Sequence, residues 1–244
     1  YKTRYGITLV ADLYVPINIT GKHAALAVSG PFGAVKEQSS GLYAQTMAER
    51  GFITLAFDPS YTGESSGEPR NVASPDINTE DFSASVDFLG SLPNVDRERI
   101  GVIGICGYSG MALTAATSDP RIKAVATASM YDMSRSMSRS YKDSYTMEER
   151  HKVMDYLGQQ RWADVDRGSY GLGYHEVPFD DNGNIVTGER VLPDTLSANP
   201  NPVLAIFFDY YRTKRGFHPR GINSASAWTA TTPMSFFSFP MYAN

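Results

Sequence analysis

Cysteine is nearly missing from this chain: Cys106 is the only one in 244 residues. An intramolecular disulfide is therefore excluded, and the thiol is either packed filler or a reactive group. Long apolar runs are missing as well. No stretch holds eighteen consecutive apolar residues, so no transmembrane helix is expected. The chain opens on Tyr1 in mid-pattern, without an initiator Met or a signal peptide. Its compartment is not readable from that start, and a cytoplasmic location is favoured over a secreted one. Basic residues form no cluster beyond isolated pairs, and the net charge is −4 with a pI near 5.6. This argues against nucleic acid and against an acidic membrane surface as partners, and for a small molecule. There is no H-E-x-x-H, no cysteine pair and no close histidine pair, so no metal is expected. The glycines between Gly101 and Gly107 lack the G-x-G-x-x-G spacing of a dinucleotide site, and no cofactor is expected. What remains is an ordinary globular composition, 42% hydrophobic and 20% charged, long enough for one large α/β domain or one domain with an insertion.

The most informative stretch is Arg99 to Gly110, RIGVIGICGYSG. An apolar, β-rich run stops at Cys106 and is followed at once by glycine and a helical pattern. This is the spacing of a nucleophile elbow, a strained strand-to-helix turn that lifts a Ser or Cys to the top of a sheet while its glycines keep side chains away. Gly104, Ile105, Cys106 and Gly107 fit, whereas the fifth position holds Tyr108 in place of glycine. Ser109 is a rival nucleophile, because Gly107-Tyr108-Ser109 also begins a G-x-S pattern about one helical turn beyond the strand. An elbow needs two N–H donors for an oxyanion. Gly107 supplies one, and the glycine-rich Ser29-Gly30-Pro31-Phe32-Gly33 supplies the other. Pro31 has no N–H, which leaves Phe32 ahead of Gly33. The alternative for that segment is an ordinary strand-to-helix turn.

Around the elbow, strand and helix patterns alternate. Ile7–Val15, His23–Ser29, Phe52–Asp58, Arg99–Ile105 and Ile122–Ser129 read as strands; Lys36–Arg50, Thr79–Leu92 and Gly107–Ser118 read as helices, with Asn78 or Thr79 capping the second. Such alternation predicts a doubly wound, mostly parallel sheet over residues 1–132. From 133 to 228 the alternation ceases and a helical cap is expected. Thr146 and Glu149 have capping-box spacing, and a helical region over Pro193–Tyr211 is broken by Pro200 and Pro202. Cap aromatics, among them Trp162, Tyr170, Phe207, Phe217 and Trp228, are expected to form mostly the cap's own core. Residues 229–244 are expected to return to the sheet domain.

Five segments in this order carry a resemblance: GPFGAVKEQ (30–38), FDPSYTGESSGEPR (57–70), GICGYSGMAL (104–113), MYDM (130–133) and QRWA (160–163). Together they resemble the α/β-hydrolase superfamily, in its dienelactone-hydrolase-like branch of esterases and thiohydrolases. Cys106 stands where those relatives have a cysteine, and Ser109 where they have glycine, which demotes Ser109. The resemblance implies cleavage of an ester, lactone or thioester bond in a small acyl substrate through an acyl-enzyme on Cys106, with Phe32 and Gly107 as oxyanion donors and Tyr108 and Tyr131 beside the substrate. It also implies an acid after the seventh strand and a histidine base after the eighth. The sequence ends at Phe239–Asn244, about where the seventh strand would be entered. The base is therefore expected beyond Asn244, with the Ile122–Ser129 strand left as an open apolar edge.

Asp132, just past that strand, is the candidate acid, weighed against a helix-capping role; Asp58 is weighed the same way and favours a loop anchor. His23 is expected to be structural, His151 to lie on a solvated helix face, and His175 and His218 to sit in cap loops. A non-catalytic relative that binds a small ligand or a partner chain is the competing function. A homodimer, or a separate chain completing the sheet, stays open. Which substrate is used is not readable.

Overall fold

Continuous apolar runs make strands that are covered on both faces, and they set the architecture of the first of two units in the computed structural model, which describes residues 1–188 and 190–237. The first unit holds residues 1–68 and 75–131. In chain order its elements are β1 (Ala11–Tyr14), β2 (His23–Ser29), α1 (Ser39–Ala48), β3 (Ile53–Phe57), α2 (Pro75–Ser91), β4 (Val95–Ile105), α3 (Tyr108–Ser118) and β5 (Ala124–Ala128). The five strands form one sheet in the order β1-β3-β2-β4-β5, parallel except for β1, which pairs antiparallel with β3. The alternating pattern thus gives the expected mostly parallel α/β sheet.

The pairing register brings three strand ends level. Val28 lies beside both Ala56 and Ile103, and Ser29 beside Gly104, so β2, β3 and β4 end together and their following loops leave from one edge of the sheet. A core of Val28, Ala44, Ala56, Ile103 and Ile105 fixes those ends, with Cys106 packed against it. Each fully buried Val or Ile side chain contributes roughly 1.5–3 kcal/mol, enough to hold the register firmly. At the other flank β5 is exposed along Ala124–Thr127 and has no further strand beside it among the described residues.

Several boundaries differ from expectation: the first strand begins at Ala11 and not Ile7, and the first helix at Ser39 and not Lys36. The helix expected from Thr79 begins at Pro75, where proline is well placed at a first helical position and Asp76 favours the positive helix end. Asn78 does not cap it; its amide donates to Asp81 Oδ2 at 2.9 Å. The elbow strand also starts earlier, at Val95.

The second unit comprises residues 69–74 and the chain from Asp132 onward. It contains α4 (Met133–Arg139), α5 (Met147–Arg167), β6 (Leu172–Gly173), α6 (Pro202–Tyr211), α7 (Ile222–Ala225), β7 (Trp228–Thr229) and α8 (Thr231–Phe237). The capping box is formed: Thr146 Oγ1 accepts from Glu149 N–H, and Glu149 reaches back to Thr146 N–H. Pro202 opens α6 where breakage was expected, because at a first helical position its missing N–H costs nothing and Asn201 accepts from Val203 N–H at 2.9 Å. A small core of Val153, Leu157, Val177 and Phe237 joins α5 to α8. The expected aromatic core is realised only in part. Trp228 is fully buried, but Trp162, Tyr170, Phe207 and Phe217 are exposed.

The return to the sheet domain expected at 229–244 is corrected for residues 229–237. β7 pairs with β6, and α8 packs on α4, inside the second unit. Apolar Trp228, Phe236 and Phe237 find their burial there. The expectation for Phe239–Asn244 lies outside the described residues.

Candidate active site

Cys106 sits between β4 and α3 with φ +55°, a left-handed conformation that a non-glycine residue adopts only where surrounding structure imposes it. Three contacts impose it here. Cys106 N–H donates to Ala128 O at 2.8 Å, while Cys106 O accepts from Ser109 N–H at 3.1 Å and from Tyr131 N–H at 3.3 Å. The turn is pinned to β5 on one side and to α3 on the other. Gly104 permits that closeness: a Cβ there would lie 2.6 Å from Ser109 Cα and 2.8 Å from Ala112 Cβ. The spacing read from the sequence is thus an elbow in three dimensions.

Across the sheet edge, Gly30 (φ +108°) turns the chain after β2; a Cβ there would meet Ile105 O at 2.2 Å. This close passage brings Phe32 over the elbow. The backbone N–H groups of Gly107 and Phe32 lie near enough to the Cys106 thiol to favour its charged form. Burial outweighs them and pushes the thiol above its ordinary range. Cys106 therefore rests as a half-buried neutral thiol, with the Gly107 and Phe32 backbone N–H groups near its sulfur.

Ser109, the rival nucleophile, is fully buried, and its hydroxyl donates to Gly104 O at 2.7 Å. It is a structural brace of the turn. Tyr108 departs from the substrate-facing position expected of it. Its side chain is 1% exposed and turns inward to pack on Phe32 with ring centroids 5.5 Å apart. The physical reason is the elbow itself: Gly107 opens α3, and the next side chain falls on the face packed against the sheet loops. Tyr131 is exposed beside the elbow, to which its N–H is bonded.

Asp132 is the N-cap of α4, its Oδ1 accepting from Arg135 N–H at 3.0 Å. Of the two roles weighed for it, capping is the one with a hydrogen bond behind it. Its Oδ2 has no hydrogen-bond partner among the described residues. His23 begins β2, at the opposite end of the sheet from Cys106, with its ring nitrogens near Gly51 O and Thr20 O. His151, His175 and His218 belong to the second unit. Burial pulls His175 below the ordinary histidine range.

Asp58 is the loop anchor that its sequence favours. Asp58 directly follows β3, is fully buried, and accepts N–H groups from two different loops: Lys36 at 2.7 Å and Glu64 at 2.9 Å.

Comparison with known proteins agrees with the fold. Residues 5–169, more than half the chain, match the family described as X-Pro dipeptidyl-peptidase (S15 family). Protein PA2218 of Pseudomonas aeruginosa is 57% identical over 242 residues, covering 99% of this chain and 61% of its own length. Its crystal structure superposes with a TM-score of 0.87 at 58% identity, over 98% of this chain and 70% of that one. The α/β hydrolase GrgF from Penicillium sp. sh18 shares the fold, with a TM-score of 0.72 at 20% identity over 98% of this chain and 71% of that one. A thiohydrolase of Aspergillus aculeatus, aneE, is 36% identical over 101 residues, 41% of this chain and 32% of its own. The chain thus spans 61% of the length of the curated Pseudomonas relative. A mostly parallel sheet with a tight strand-to-helix turn at Cys106, and a family match that runs through it, lead to one assignment: the chain belongs to the X-Pro dipeptidyl-peptidase (S15) family, within the α/β hydrolases.

Proposed function

We propose that this protein is an acyl hydrolase that cleaves an ester, lactone or thioester of a small molecule through an acyl-enzyme on Cys106. The observation that carries the reading is a left-handed Cys106, held at φ +55° between a strand and a helix, with the Phe32 and Gly107 backbone N–H groups near enough to favour its thiolate. Donors placed at the sulfur also stand beside the carbon that the sulfur attacks, where a carbonyl oxygen gains its charge.

In the first half-reaction a general base takes the thiol proton, and the sulfur adds to the carbonyl carbon. The C=O π pair moves onto oxygen, which Phe32 and Gly107 hold. Collapse of that intermediate breaks the bond to the alcohol or thiol, which leaves with the proton. In the second half, water adds to the thioester, and the C–S bond breaks to return the thiol and release the acid. Because burial keeps Cys106 neutral, the base is needed for the first step. A preformed thiolate does not do the work. Asp132 is assigned the acid that orients that base, through the carboxylate oxygen its cap leaves unused. Tyr131, exposed beside the elbow, is assigned to the acyl group. The similarity to a fungal thiohydrolase supports a thioester as one substrate class.

The test is intact-mass trapping of the full-length protein with p-nitrophenyl acetate and an N-acetylcysteamine thioester. An acetyl adduct on Cys106, absent in Cys106→Ala, is expected. Undiminished turnover by Cys106→Ala would overturn the assignment. Release of p-nitroaniline from an X-Pro anilide, with no turnover of either ester, would move the reading to a peptidase.

A further inference from the structure

The loop that carries Phe32 is tied down at its far end by charge. Four residues after Phe32, Lys36 N–H donates to Asp58 Oδ1 at 2.7 Å, while Asp58 Oδ2 accepts from Glu64 N–H at 2.9 Å. One carboxylate thereby joins the loop after β2 to the loop after β3. It has no room to move. A Cβ on Gly63 would lie 2.2 Å from Oδ2, so the β3 loop is wrapped tightly around it. The Lys36 side chain makes the same connection again. Its Nζ lies 2.7 Å from Glu64 Oε2, 2.6 Å from Glu37 Oε1 and 3.9 Å from Asp12 Oδ1, with 4% of the side chain exposed. The charged and titratable groups facing Asp58 are Lys36 and Glu37 from one loop, Glu64 from the other, Tyr1 from the N-terminal segment and Tyr108 from α3.

We propose that Asp58 is a positioning residue of the acyl-transfer site: by holding Lys36 N–H it fixes the loop so that the Phe32 N–H stands over the Cys106 sulfur. The proposal rests on the reading of Cys106 as nucleophile and adds to it the residue that sets its oxyanion geometry. An apolar contact could hold the loop down but not aim it, since dispersion is non-directional, whereas a bidentate carboxylate fixes direction. Aim is what an oxyanion donor needs, within about half an ångström. Tyr108, packed under the Phe32 ring, supports the loop from the opposite side.

The test uses Asp58→Asn in the full-length protein. Asparagine keeps the volume but offers one acceptor oxygen, so one of the two N–H groups faces an amide donor. The reading is the pH midpoint of Cys106 alkylation by iodoacetamide, with the rate of acetylation by p-nitrophenyl acetate beside it. Phe32 N–H favours the thiolate and burial disfavours it, so the two ways of damaging the site have opposite signs. Losing the aim of Phe32 raises the midpoint, by about one pH unit for one hydrogen bond to a charged group. A general loosening lets water reach the sulfur and lowers it. The expected result is a raised midpoint with acetylation slowed at least tenfold; an unchanged or lowered midpoint overturns the proposal. Should the wild-type protein fail to acetylate, the nucleophile reading falls, and the alkylation midpoint still decides whether Asp58 aims Phe32. Glu64→Gln, which leaves Asp58 in place and loosens only the Lys36 ammonium, is expected to raise the midpoint by less. It decides the matter in the same way if Asp58→Asn does not fold: an unchanged or lowered midpoint overturns the proposal.

Discussion

Ser109 Oγ donates to Gly104 O at 2.7 Å, closing the elbow from below while Cys106 stands above it. The two hydroxyl- and thiol-bearing residues of the turn thus have separate jobs, one holding the turn and one presented by it. Ser109→Ala is expected to leave acylation of Cys106 within about threefold of wild type. It should lower stability by roughly 1–2 kcal/mol, the usual loss when a buried acceptor is left without its donor. Urea unfolding and burst kinetics on the same preparation check both halves. A loss of acylation as large as that of Cys106→Ala would return Ser109 to candidacy.

The hydroxyl of Tyr108 is buried without a hydrogen-bond partner among the described residues. A buried polar atom in that condition costs about 1–3 kcal/mol, and the ring contact with Phe32 does not require it. Tyr108→Phe is therefore expected to raise the midpoint of thermal unfolding by a few degrees with the acylation rate unchanged. Destabilisation instead would mean that the hydroxyl is satisfied by bound water.

The elbow was legible because its chemistry is local. Gly104, Cys106 and Gly107 lie within four residues, and the apolar run before them can only be a covered strand. His23–Ser29 was legible for the same reason, and became β2 at those residues. The proposal of Phe32 as a donor comes by elimination, since Pro31 cannot donate. The inward turn of Tyr108 was not legible, because it depends on where the distant loop that carries Phe32 passes over the sheet. Asp132 caps α4, but its sequence did not separate that role from a catalytic one, as a short acidic residue before a helical pattern fits either. The cap region was the least legible. With few β-branched runs and several prolines, its pattern did not separate a helix-opening Pro202 from a helix-breaking one, a distinction that rests on Asn201 being free to accept from Val203 N–H.

The capping box at the head of α5 is the clearest local stabiliser of the second unit. Thr146 accepts from Glu149 N–H at 3.1 Å, and Glu149 accepts from Thr146 N–H at 2.7 Å. Thr146→Ala is expected to cost about 1 kcal/mol. Limited proteolysis within residues 140–150 should quicken accordingly, whereas proteolysis of the sheet domain should not. Equal acceleration in both would show that the loss spreads beyond α5.

Asp81 gives stability an unusual dependence on pH. It is fully buried on α2, accepting from Ser60 N–H, Ser60 Oγ and Asn78 Nδ2, and burial pushes it from 3.8 up to about 6 despite those donors. Between about pH 4 and pH 6 the folded chain therefore keeps a proton that the unfolded chain has released. Stability from this group is fully present below its unfolded value and is lost as the pH rises through about 6, at up to roughly 1.4 kcal/mol per pH unit. Asp58, likewise pushed up to about 6, adds in the same direction. Most carboxylates in folded proteins act oppositely, as Asp119 does here, where Arg121 holds it below the ordinary range. The difference between wild type and Asp81→Asn isolates the buried group. That difference in unfolding free energy, measured in urea from pH 4 to 7, should shift against the wild type as the pH rises to 6 and then level off. A difference constant across that range would mean that Asp81 is ionised throughout, with its three donors outweighing burial.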